Sequence, residues 1–319
     1  MLHQNHIWPQ ASVLEEHLAS RDARSMSCIG LTDASAARIR QGLPDLRRLR
    51  ACNANKLTDK GLAQLCGLER VQVLELSGLS GVSAHGLRLL ARLPRLSALS
   101  LWDSKLDDQA AMALGALPRL RRLELCGASL TGHGLQALAG LPSLQSLHLS
   151  RCFQLGTGPL AHLAACTGLR ALRLDGCPDA EERSLVLLES LPALEELDLS
   201  TWDRLGAKGL AHVARLPRLR RLDLSQTPLR DDDLELLWQL PRLEELDLTW
   251  CTQLTDGALE CLTGHRLRRL VLCTTPVTDE GLAYLSDIPT LERVDLQGCA
   301  RVSDEAVARL RASGLRVER

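Results

Sequence analysis

A nine-position frame, L-P-x-L-x-x-L-x-L, recurs along this 319-residue chain at intervals of 24 or 25 residues. Its anchors run Leu46, Val71, Leu96, Leu120, Leu144, Leu169, Leu194, Leu219, Leu243, Leu267 and Leu291. A partial unit precedes them, with Leu31-Thr32-Asp33 matching Leu57-Thr58-Asp59, and a last short strand is expected near Leu315 and Val317. Units this small cannot bury their leucines alone, so they must stack. Within a unit, Leu219-Arg220-Arg221-Leu222-Asp223-Leu224 alternates apolar and polar residues, as a strand does. A turn follows, then a helix start such as Leu254-Thr255-Asp256, where Thr caps the helix and Asp faces its positive end. Runs such as Gly281-Leu282-Ala283-Tyr284-Leu285 continue at helical spacing, and eight units then return through Leu-Pro or Ile-Pro, which stops a helix. The expected fold is an α/β solenoid, a horseshoe with a parallel concave sheet and helices on the convex side.

The same frame explains the composition. Leucine supplies 73 residues against 4 isoleucines, 12 valines and a single Phe and Tyr, so one packing solution is used many times. The 11 cysteines follow the period too. Their odd number and the absence of any C-x-x-C pair argue against disulfides and metal, and Cys152, Cys177, Cys251 and Cys299 share the third place after a strand. Trp202 holds that place in a fifth unit, and in each of these the next apolar anchor lies six residues beyond the strand's last leucine. Where it lies five residues on, Ser104, Ala128, Thr227 or Thr275 stands instead. Two loop geometries are expected, the longer one admitting a larger inward side chain.

Several function classes fall away at this level. The net charge of -1 removes the bulk electrostatic case for nucleic acid or anionic membrane. Charged residues break every leucine run, so no membrane span is expected. The start, Met1-Leu2-His3-Gln4-Asn5-His6, has no basic end or apolar stretch of a leader. His3 and His6 lie in a tail, and His162 and His212 fall two units apart, too far to share a metal. Asp231-Asp232-Asp233 lacks the glycine and glutamate of a calcium loop. With no nucleophile elbow and no glycine-rich phosphate loop, neither catalysis nor a cofactor or metal is expected.

Asp247-Leu248-Thr249-Trp250-Cys251-Thr252-Gln253-Leu254-Thr255-Asp256-Gly257-Ala258-Leu259 resembles the cysteine-containing leucine-rich repeats in the substrate-recognition arms of F-box proteins. The G-A-L and G-L-A forms are also similar to the GALA repeats of bacterial effectors. The resemblance covers roughly residues 24–319 and implies a horseshoe that binds a protein, often delivering it to a ubiquitin ligase. An F-box needs about three helices before the repeats, and only residues 1–23 precede them. Val13, Leu14, His17 and Leu18 there suggest one short amphipathic helix capping the first strand. The expected domains are thus 1–23, a tail with a capping helix, and 24–319, a leucine-rich-repeat domain of about eleven full units. The 34 arginines against 4 lysines are compatible with a GC-rich bacterial genome.

Function should sit where the polar strand residues face the concave side. Between the last two strand leucines the units carry Arg50, Glu75, Ser100, Glu124, His148, Arg173, Asp198, Asp223, Asp247, Val271 and Asp295. Two places earlier, Glu196, Arg221, Glu245 and Arg269 alternate in sign. Strands ~4.8 Å apart would stack Asp198, Asp223 and Asp247, and like charges opposite one another destabilise a sheet. One reading is a solvated, salt-bridged face. The sharper one is a partner-binding site for a basic segment, formed by Asp198, Asp223, Asp247 and Asp295 with Trp250 beside them. Trp102 borders the same face, and His148, Arg151 and Arg173 could form a small basic island. Trp202 belongs to the core. The expected role is a non-catalytic protein-recognition module: a cytoplasmic adaptor or substrate-recognition protein, or a bacterial effector in a host cytosol. A stand-alone inhibitor and a structural scaffold are the alternatives.

Overall fold

The structure, a computed structural model, describes residues 24–104, 106–152, 154–155, 157–177 and 181–319. The expected capping helix over Val13, Leu14, His17 and Leu18 lies outside the described residues. The chain forms two compact units, Met1–Gln154 and Leu155–Arg319.

In the first unit, β1 (Ser25–Ile29), β2 (Arg48–Cys52), β3 (Val73–Ser77), β4 (Ala98–Trp102), β5 (Arg122–Leu125) and β6 (Ser146–His148) pair in parallel in chain order. The register aligns Leu49, Leu74, Leu99, Leu123 and Leu147, all buried. The second unit repeats the plan with β7 (Ala171–Arg173), β8 (Glu196–Asp198), β9 (Arg221–Asp223), β10 (Glu245–Asp247), β11 (Arg269–Val271), β12 (Arg293–Asp295) and β13 (Arg316–Glu318). Leu172, Leu197, Leu222, Leu246, Leu270, Val294 and Val317 form its buried row. Each neighbouring pair is joined by one helical crossover, as parallel strands require. Both units are leucine-rich-repeat solenoids, with β13 where the terminal strand was expected.

The crossovers differ from expectation in one respect. Helical spacing does not separate α from 3-10 geometry, and several units use the latter: Glu182–Ser190 and Asp231–Gln239 are 3-10 throughout, and Ala84–Arg88 passes into Leu89–Arg92. A 3-10 turn rises ~2.0 Å per residue against ~1.5 Å in an α-helix, so it spans the same stretch with fewer residues.

The T-D-x-G stretch does more than cap a helix. Asp33 Oδ1 accepts from the backbone N–H groups of Thr58 (2.8 Å) and Gly61 (3.0 Å) in the next unit, and Asp33 Oδ2 accepts from Thr58 Oγ1 (2.6 Å). Asp59 holds Ser83, Asp108 holds Thr131, Asp256 holds Thr278 and Asp279 holds Ser303 in the same way. The carboxylate thus neutralises donors that a helix N-terminus leaves unpaired and couples one repeat to the next. It also dictates the glycine, because a Cβ at Gly86 or Gly281 would overlap the Asp59 or Asp256 carboxylate. The inward turn position behaves as expected: Ser104, Ala128, Cys152, Cys177, Trp202, Thr227, Cys251, Thr275 and Cys299 are all buried. Seven of the eleven cysteines, among them Cys28, Cys66, Cys251 and Cys299, are buried.

Candidate functional site

On the sheet face away from the helices, the second unit presents two parallel columns. The outer one reads Glu196, Arg221, Glu245, Arg269, and the inner one Arg173, Asp198, Asp223, Asp247, Val271, Asp295, each residue directly opposite the next. All of these but Asp295 line an open groove of about 240 Å³. The outer column is self-neutralised. Arg221 reaches Glu196 at 2.7 Å and Glu245 at 3.1 Å, and Arg269 reaches Glu245 at 3.9 Å.

The inner column carries a cation at its head, Arg173, which stands opposite Asp198 and lowers its carboxyl against the effect of burial. Each aspartate accepts a backbone N–H two residues on: Ser200 for Asp198 (3.0 Å), Ser225 for Asp223 (2.9 Å), Thr249 for Asp247 (2.9 Å) and Gln297 for Asp295 (3.1 Å). That bond closes the turn after the strand and fixes the carboxylate in place, but it brings no positive charge. Burial pushes the Asp223 carboxyl up to about 6, and Asp198 and then Asp247 add to the rise against the Ser225 bonds. Asp198 is raised as well, first by burial and then by Asp175. Ionising Asp198 and Asp223 therefore works against desolvation and like-charge repulsion at once. Asp295 stands apart, beyond Val271. It is buried, and it interacts with the Cys273 thiol, which burial and Asp295 push up to about 12.

Trp250 lies just past β10, 54 % exposed, with φ +60. The same register has positive φ throughout the second unit: Gly176, Thr201, Gln226, Trp250, Thr274 and Gly298. Glycine enters this region freely, whereas a tryptophan there is strained. Trp202, one register further on, is 3 % exposed and donates its Nε1–H to Leu174 O (2.8 Å). Arg173 heads the inner column beside Asp198.

In the first unit, Trp102 ends β4 at 48 % exposure, its Nε1–H directed at Glu124 (3.4 Å). His148 Nδ1 is 3.7 Å from the same glutamate. Arg151 sits in the following turn with φ +54. Of the three basic residues, His148 and Arg151 belong to this unit and Arg173 to the other.

Sequence reasoning missed one exposed aromatic. Trp238, on Asp231–Gln239, is 53 % exposed, packs against the buried His265 ring (centroids 4.5 Å apart, planes tilted by 41°) and donates to Cys261 O (3.0 Å). It faces away from the aspartate columns, so a search confined to strand residues could not find it. The available signal was a tryptophan at a helix-end place that other units fill with Ala, Gly or Ser, such as Ala91, Gly115 and Ser286. Among the described residues no group of three His, Cys, Asp or Glu is placed to hold a metal, and no helix is long and apolar enough to cross a membrane.

Residues 157–317, just over half of the chain, match the family profile described as FBD-associated F-box protein At5g56370, LRR repeats. The chain belongs to the leucine-rich-repeat family. Residues 94–152 of this leucine-rich-repeat chain match a general leucine-rich-repeat profile as well. No curated protein matches it. Among solved structures it is similar to the Rad7 and Elc1 complex of yeast (19% identity, 96% of this chain and 86% of that one, TM-score 0.57). It is also similar to an internalin, inlF, from Listeria monocytogenes (16% identity, 95% and 88%, TM-score 0.52). A third likeness is to TLR13 in complex with ssRNA13 (21% identity, 86% of this chain but 39% of that one, TM-score 0.58). These likenesses concern the leucine-rich-repeat fold.

Proposed function

We propose that this leucine-rich-repeat protein is a non-catalytic recognition module that captures a basic protein segment on the strand face of its second unit. The observation that carries the reading is the column Asp198, Asp223 and Asp247, held in an open groove with no cation of its own between its members. A lysine or arginine from a partner would supply the missing charge, and such charge-assisted bonds are roughly twice as strong as neutral ones. Trp250, exposed at the end of that column, offers an aromatic face of the kind that dominates interfaces and attracts cations. Arg173 and Asp295, in the same unit, are proposed as secondary contacts, and Trp102, His148 and Arg151 as partner contacts on the first unit's own strand face. An odd number of cysteines with no C-x-x-C pair favours a reducing cytosol as the place of work, and the F-box-type profile favours an adaptor that presents its partner to a ligase.

The test is affinity purification from the source cell, or from a host cell, followed by mass spectrometry. The double variant Asp223→Asn/Asp247→Asn serves as comparison, since Asn keeps the turn-closing acceptor and removes the charge. A partner lost selectively in the variant supports the site, and an unchanged set of partners refutes it. Ligase components in the complex support an adaptor, whereas one stoichiometric enzyme supports an inhibitor. A scaffold contact on the helix side is the competing reading, favoured by the exposed Trp238. It predicts loss of partners in Trp238→Ala and tolerance of the aspartate changes.

A further inference from the structure

The first unit carries a second surface of different character. Strands β2 to β5 place Arg48, Val73, Ala98 and Arg122 side by side in register. The small residues between the arginines, with Ser100 further along β4, leave a dimple of about 80 Å³ bordered by both arginines. Among the described residues neither guanidinium forms an ion pair, whereas Arg50 on the same strand as Arg48 is held by Glu75 at 3.2 Å. Two carboxylates border the dimple, Glu75 and Glu124, and both are engaged elsewhere, the first by Arg50 and the second by His148 and Trp102. Trp102 ends β4 beyond Ala98 and Ser100 on the same face, half exposed. A hollow with Val73 and Ala98 between two arginines that form no ion pair among the described residues, with an aromatic rim, is complementary in charge and shape to an acidic peptide carrying one apolar side chain.

We propose that this face binds an extended acidic segment of the pattern acid–x–apolar–x–acid. The apolar side chain enters the dimple over Val73 and Ala98, and the two carboxylates meet Arg48 and Arg122. The spacing supports the pattern. Arg48 and Arg122 stand three strands apart, about 14 Å between Cα atoms at ~4.8 Å per strand, and four steps of extended chain cover about 13–14 Å. Each guanidinium can take a carboxylate through two parallel bonds, which favours Arg over Lys at both ends. This surface is independent of the aspartate column, which lies in the other unit and takes the opposite charge.

The experiment is fluorescence anisotropy on the full-length protein with a labelled seven-residue peptide, Ser-Glu-Ser-Leu-Ser-Glu-Ser. Saturable binding below about 1 mM is expected, weakened at least tenfold in Arg48→Glu/Arg122→Glu and unchanged in Arg309→Glu, a helix residue of the second unit. Ala98→Trp, which fills the dimple, should abolish binding without altering charge. Replacing the peptide leucine by glycine should also weaken it. No saturable binding, equal affinity of the charge-reversed double variant, or equal affinity for a lysine peptide of the same layout would each overturn the proposal. So would an oligouridylate that binds as tightly at equal salt.

Discussion

Replacing Asp223 by Asn should make the free protein more stable at neutral pH. In the native state its carboxyl is raised from an ordinary 3.8 to about 6, first by burial and then by Asp198 and Asp247. The shift is about two units, and each unit corresponds to ~1.36 kcal/mol, so ionising this one side chain costs the fold about 3 kcal/mol. Asp223 is only partly buried, and solvent screening trims the figure to about 1–3 kcal/mol. The substituted amide would keep the acceptor for the Ser225 N–H (2.9 Å) and shed the charge. The direction with pH follows from linkage. Between about pH 4 and 6 the native protein holds a proton that the unfolded chain has released, so wild-type stability falls as pH rises through that window. Below pH 4 both states are protonated and the charge contribution disappears. Urea unfolding of the two proteins at pH 3.5, 5 and 7.5 isolates the effect as a difference, since other carboxylates cancel. The expected advantage of the Asn variant is near zero at pH 3.5 and full at pH 7.5. A variant no more stable than wild type at pH 7.5, or one whose advantage is the same at pH 3.5, would show that the column is not electrostatically strained. The charge would then give no reason to expect a cation there.

Three further outcomes test the rest. Trp250→Gly should leave stability unchanged or raise it by up to ~1 kcal/mol, because the left-handed backbone (φ +60) disfavours any Cβ while glycine costs unfolded-state entropy. Partner binding should fall in the same variant, so a clear loss of stability by thermal melting would contradict the strain. Leu222→Ala, at a buried place in the β9 row, should cost on the order of 2–5 kcal/mol, and native-state hydrogen exchange should locate the loss in the neighbouring repeats. Gly86→Ala should cost about 1–3 kcal/mol by driving its Cβ into the Asp59 carboxylate. In an Asp59→Ala background most of that penalty should vanish in a double-mutant cycle.

The architecture was legible in the sequence because it is written many times over. A leucine at the Leu222 position, a Thr-Asp pair at Thr278-Asp279 and a proline at Pro217 each gain meaning from their copies in the other units. Less legible was the role of the aspartate in that pair. A capping argument places Asp256 at the positive end of its own helix, yet its oxygens are spent on Thr278 of the next repeat. That contact crosses 22 residues and exists only once the units have stacked. The aspartate column could be placed from the register alone. Its desolvation could not, because a strand residue facing outward is ordinarily assumed to be wet.

The repeat supplies a reference against which strain can be measured within one molecule. At the left-handed turn register the second unit has glycine at Gly176 and Gly298 and a side chain at Thr201, Gln226, Trp250 and Thr274, so what sets Trp250 apart is its large, half-exposed ring. On the inner column three consecutive strands present Asp. The charge raises the free energy of the unbound protein, and the last of the three strands, β10, carries Asp247 three residues before Trp250. The frame does not require that charge, since Val271 stands at the equivalent place on the next strand. A cation docked over Asp223 and Asp247 would remove the repulsion and use the indole. Strain that bound charge relieves is the physical form that selectivity for a basic segment would take.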